Sequence, residues 1–174
     1  MAQTARPDSD VSIGSWTDQD ESTSNLYTTI DETSYNDSDY IKSSDMMGAT
    51  DTCIFGLGDV DDPSSAADHK VYFRSRADAG GGWQAPELLV QLLQGSTQIA
   101  TTAYTGGGSF STQNFTLTAS EANAISDYSD LRLRFVRNSS DGGFENVDVS
   151  WAYFECPDAS VAAVSNPAFL LFVD

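Results

Sequence analysis

The chain has 174 residues, with 26 Asp or Glu against 8 Lys or Arg, a formal net charge of −18. That length fits one domain, long enough to bury roughly 70% of the surface its unfolded chain exposes. The charge argues against nucleic acid, which is held mainly by Lys and Arg on phosphates, and against an anionic membrane surface.

The acid is uneven. Residues 1–68 hold 15 carboxylates and only Arg6 and Lys42 as bases, while residues 69–174 hold 11 carboxylates and six bases. The composition, 40% apolar and 11% aromatic, is that of a folded chain rather than an acidic tail. No apolar run approaches the length of a bilayer span, and the opening MAQTARPDSD lacks the apolar stretch of a signal peptide.

Ser and Thr together number 38, and strand-like runs recur between Gly, Asp and Asn clusters. This pattern predicts an all-β, antiparallel, jelly-roll-like sandwich over residues 1–157. In chain order, residues 26–30 and 40–42 read as short strands. Residues 52–57 place Cys53, Phe55 and Leu57 on one face. Residues 71–77 alternate Val71 and Phe73 with Tyr72, Arg74 and Arg76. Residues 88–93 are apolar almost throughout, so both faces should be covered. Residues 98–104 read as a further strand. Thr118 and Glu121 form a capping box ahead of one short helix, about two turns long, with Ile125 packing on a sheet edge. Residues 130–137 and 147–154 close the strand set. Gly80 to Gly82, Gly106 to Gly108 and Asp141 to Gly143 mark loops or hairpin tips.

Pro157 ends the last strand, and residues 158–174 read as a C-terminal arm. Its apolar end, Phe169, Leu170, Leu171, Phe172 and Val173, must be buried, either on its own domain or on a neighbouring subunit. The second option makes these five residues an oligomer or partner contact.

No catalytic residue, metal ligand or cofactor is expected. His69 is the only histidine, placed by its polar neighbours in a surface loop, and no G-x-S-x-G elbow accompanies it. Asp59, Asp61 and Asp62, or Asp18 with Asp20, are the best calcium candidates, but neither matches an EF-hand loop. A solvated acidic surface is the plainer reading. Cys53 and Cys156 fall on two strands and read as buried thiols, with a disulfide as the alternative. Among the aromatic residues Trp16, Trp83, Trp151, Tyr104 and Tyr128, Trp83 is the glycan-binding candidate, since it follows the 80–82 glycines. Trp16 and Trp151 read as core.

The segment 6–43 carries Asp10, Gly14 and Trp16, then Leu26-Tyr27, then Ile30-Asp31-Glu32. With VDVSWAYFECP at 147–157, it resembles β-sandwich domains of tailed-phage virion proteins and some bacterial surface proteins. That resemblance implies a jelly-roll or galactose-binding-like domain that decorates a larger particle or binds glycans. The leading expectation is therefore a capsid decoration (cement) protein, made in the host cytoplasm and residing in the virion. It would assemble as a symmetric homo-oligomer, a trimer first, on a major capsid or other virion protein. The alternatives are a glycan-recognising module and a tail or neck accessory protein.

Overall fold

The computed structural model describes residues 2–45, 50–77, 86–138 and 146–159. In chain order the strands are β1 (Ala2–Ala5), β2 (Pro7–Ser12), β3 (Thr17–Asp18), β4 (Ile41–Lys42), β5 (Asp51–Leu57) and β6 (Lys70–Ala77). After them come β7 (Glu87–Gln94), β8 (Thr97–Thr105), β9 (Ser111–Thr116), β10 (Leu131–Asn138) and β11 (Val147–Pro157). The first sheet runs β3-β4-β11-β6-β9, with β1 paired to the end of β11, and the second runs β2-β5-β10-β7-β8. The pairings are antiparallel. The protein is an all-β sandwich of jelly-roll-like form.

Alternation builds the core. Cys53, Phe55 and Leu57 of β5, Val71 and Phe73 of β6, and Leu131, Leu133 and Phe135 of β10 all point between the sheets. Phe135 lies 6.1 Å from Phe55 and 6.4 Å from Trp16, centroid to centroid, so three rings fill the middle of the layer. On β7, Leu88, Val90 and Leu92 face this core, and outward Leu93 is also covered, at 1% exposure.

The two segments 26–30 and 119–126 differ from expectation. Leu26–Thr29 is a 3-10 turn, not a strand. The Asp10 carboxylate accepts from the backbone N–H of Leu26 (3.0 Å) and of Tyr27 (2.9 Å), which satisfies turn donors that a strand would pair elsewhere. Gly14 takes φ +57°, and a Cβ there would sit 2.3 Å from the Thr52 carbonyl, so that turn requires glycine. Trp16 then enters the core fully buried.

The helix is α1 (Ala119–Ala122), a single turn. Both arms of its capping box form, but Ala124 and Ile125 already donate to carbonyls three residues back, which tightens and ends it. Ile125 is buried, at 7% exposure. Sequence reading also missed β1, β2, β3 and β9, whose residues are mostly polar. β2 is an edge strand opened by Pro7, a position where no N–H is needed.

Candidate functional site: the outer face of the first sheet

In VDVSWAYFEC the odd positions 147, 149, 151 and 153 look like one continuous apolar face. The structure interrupts it: the register of β11 against β6 shifts between Val149 and Trp151, around Ser150. One inserted residue flips every later side chain. Val147 and Val149 point inward, but beyond the bulge it is Ala152, Phe154 and Cys156 that are buried. Trp151, Tyr153 and Glu155 therefore face outward, and Trp151 is not a core residue.

Cross-strand register arranges these residues in rows. Tyr153 lies opposite Tyr72, which lies opposite Asn114; Trp151 pairs with Arg74 and then Thr112; Glu155 pairs with Lys70 and then Thr116. The Tyr153 and Tyr72 rings stack at 4.7 Å and 7°, and Trp151 meets Tyr153 edge-on at 4.7 Å.

The loop 31–39 lies along this face and supplies a fourth ring. Tyr35 meets Trp151 edge-on at 6.2 Å, and the Arg74 guanidinium sits 4.1 Å from its centroid. Arg74 is held in turn by both oxygens of Asp37, each at 2.6 Å, and Asp37 also accepts from the Ser150 hydroxyl at 3.2 Å. The hydrogen bond from Arg74 holds the Asp37 carboxyl below its usual range. The Glu32 carbonyl accepts from Trp151 Nε1 at 2.7 Å and from Arg6, whose guanidinium also lies over the Tyr153 and Trp151 rings. Tyr35 thus rests against Arg74 and Trp151 yet remains 53% exposed. Chemically the face offers an open ring, two phenol hydroxyls and an amide, with Lys70 and Glu155 at its margin.

The Glu32 carboxyl is pushed up to about 7, first by burial and then by Asp39 and Asp31 nearby. Its Oε2 is buried without a hydrogen-bond partner.

The residues singled out from sequence are scattered. Trp83 and Phe169, Leu170, Leu171, Phe172 and Val173 lie outside the described residues. Cys53 and Cys156 are free buried thiols in opposite sheets, not a disulfide, and burial raises both, Cys156 to about 11. His69 is not a surface-loop residue but fully buried. Its Nδ1–H donates to the Ala67 carbonyl at 2.9 Å, which leaves Nε2 to accept the Tyr128 hydroxyl at 2.7 Å. Tyr104 packs on Phe73.

Of the acids 59, 61 and 62, Asp62 accepts from Ser64 N–H in a turn, and the Asp61 backbone N–H donates to the Gln3 side chain on β1. Asp18 accepts from the N–H of Asp20 and of Ser22. Among the described residues no three His, Cys, Asp or Glu gather as metal ligands would.

Tyr35, Tyr72 and Tyr153 were missed as site residues. For Tyr72 the alternation of β6 already signals an outward position, whereas for Tyr35 nothing local does.

No family model and no curated protein matches the chain. Among solved structures, the neighbours include carbohydrate-binding modules of β-sandwich form. One is the CBM36-1 domain of a multidomain xylanase from the hindgut metagenome of Trinervitermes trinervoides. It is 12% identical, covers 92% of this chain and 100% of that one, and has a TM-score of 0.41. A second is a carbohydrate-binding module in complex with β-1,4-galactotriose, 7% identical over 68% of this chain and 70% of that one, TM-score 0.39. A cyclase from Fischerella sp. TAU is similar at the same level, 13% identical over 69% and 76%, TM-score 0.36. Likeness this distant carries no weight for function.

Proposed function

We propose that this protein is a glycan-binding β-sandwich, and that the outer face of its first sheet is the contact surface. The supporting observation is Tyr35, more than half exposed, with the Arg74 guanidinium over its ring and Arg74 itself held by Asp37, which Ser150 also meets. A ring fixed before binding loses little conformational entropy on contact, and the apolar face of a pyranose stacks on such a ring. Tyr72, Tyr153, Asn114 and Lys70 supply donors and acceptors for sugar hydroxyls beside it. The role is binding rather than catalysis.

The virion decoration role, with its trimer and capsid partner, comes from the resemblance of segments 6–43 and 147–157, the acidic surface and the apolar arm. No comparison supports it, and its contact residues are 169–173. That segment lies outside the described residues, so the glycan reading comes first. Soluble β-1,4-linked galactan, xylan and glucan are the probes. Tyr35→Ala should weaken binding about tenfold, the worth of one well-placed aromatic contact, with the melting temperature unchanged. If Trp83→Ala removes binding and Tyr35→Ala does not, the site belongs to the 78–85 segment instead.

A further inference from the structure

Resting on the glycan reading for what it regulates, we infer that a proton shared between Glu32 and Asp39 clasps the loop that carries Tyr35. The binding face is assembled in mildly acidic solution and loosens as pH rises past neutrality.

The loop has fixed feet and an open tip. Ile30 and Ile41, on either side of it, are fully buried. The Ile30 carbonyl accepts from Ala152 N–H at 3.1 Å, and Ile41 pairs with Val149, so both feet stand on β11. Residues 33–38 are exposed, whereas Asp31, Glu32 and Asp39 are half-buried at the neck. Asp39 N–H donates to the Asn36 carbonyl at 3.0 Å and Ser38 N–H to the Asn36 side chain at 3.1 Å, bonds that shape one turn without joining the two limbs.

Two contacts tie the loop to the sheet, one on each side of Tyr35: Trp151 and Arg6 donate to the Glu32 carbonyl, and Arg74 donates to Asp37. The limbs themselves are joined by the Glu32 and Asp39 side chains, which meet in a hydrogen bond. Two carboxylates only accept, so that bond exists while one of them keeps its proton. Glu32 Oε2 is buried and receives no donor, as suits an oxygen that carries the proton itself.

Burial, then Asp39 and Asp31, push the Glu32 carboxyl up to about 7. From the elements packed against the loop, Arg6 is turned to the Glu32 carbonyl and the Trp151 and Tyr153 rings, and Arg74 to Asp37. Neither base is aimed at the shared proton. Above neutrality that proton passes to water, and two negative charges face each other across a half-buried neck, where they repel. Only the sheet contacts then hold the loop. Tyr35 is in its assembled position in a smaller fraction of molecules, and apparent affinity falls by that fraction.

The first half of the test needs no ligand. In proton–nitrogen NMR of the intact chain, Trp151 Nε1–H reports the Glu32 side of the loop and Arg74 Nε–H the Asp37 side. Each signal is assigned by its loss in Trp151→Phe or Arg74→Lys. Both should move with one midpoint near 7. Glu32→Gln, whose amide donates to Asp39 at every pH, should hold both still. A Trp151 signal that titrates while Arg74 stays in place would mean a local change of charge, and would overturn the inference.

In the second half, whichever of galactan, xylan or glucan binds is titrated by calorimetry on both sides of neutrality, at about one unit below and above the midpoint. The parent should bind about tenfold more weakly on the alkaline side, and the ratio should fall to about one in Glu32→Gln. Equal affinities in the parent would overturn the inference and leave glycan binding intact. If no polysaccharide binds while both signals titrate together, the clasp stands and the glycan reading falls.

Discussion

Glu32 uses its two polar ends differently. Its carbonyl gathers Trp151 and Arg6, while its carboxyl is folded toward Asp39 with one oxygen buried and unpartnered. In the folded chain the carboxyl keeps its proton up to about pH 7, against 4.5 ordinarily. Below 4.5 it is protonated in both folded and unfolded chains and has no effect on the balance. Between 4.5 and 7 the folded chain binds more protons, so stability falls as pH rises through that window and stays lower above it. Glu32→Gln should therefore melt higher than the parent at pH 8 and nearly equal to it at pH 5. Equal melting temperatures at both pH values would show that the carboxyl is not strained by its surroundings. The residue type alone does not reveal this, because Glu32 sits in an acidic run that reads as solvated.

At the scale of elements, the bulge at Ser150 decides which side of β11 meets solvent. Ser150→Ala keeps the chain length and removes only the hydroxyl that Asp37 accepts, a loss of about 1 kcal/mol. Inserting one alanine after residue 150 is different in kind. Alternation continued past the extra residue would turn Trp151, Tyr153 and Glu155 toward the core and Phe154 and Cys156 outward. That variant should lose cooperative unfolding in urea, a cost of roughly 4 kcal/mol or more. An insertion variant that unfolds like Ser150→Ala would refute the role given to the bulge.

Six of the strands, β5 to β8, β10 and β11, were legible because a buried face and an open face impose a period of two. β1, β2, β3 and β9 were not, because they are short or polar and take their order from the neighbour they pair with. The 26–30 segment was misread for a similar reason: a carboxylate 16 residues away, on Asp10, caps its first donors.

For the molecule as a whole, the excess of acid is a matter of self-repulsion. The described ion pairs, Lys42–Glu21, Arg74–Asp37, Arg76–Asp148 and Arg132–Asp130, engage half of the eight bases and leave most carboxylates uncompensated. Raising ionic strength from about 0.01 M to about 0.15 M shortens the screening length from about 30 Å to about 8 Å. The melting temperature should rise over that range, read by circular dichroism at fixed pH. A fall would mean that the ion pairs outweigh the repulsion.

The sequence by itself determined the two-sheet class, the acidic surface, most core residues and the capped turn at Thr118, because periodicity and capping are local. Only the tertiary structure decided which face of β11 carries Trp151 and Tyr153, that His69 is sealed against Tyr128, and that the two cysteines lie in opposite sheets. It alone brought Tyr35 onto Trp151, 116 positions later in the chain. Bulges and cross-strand register are set by packing between distant segments, and no local pattern encodes them.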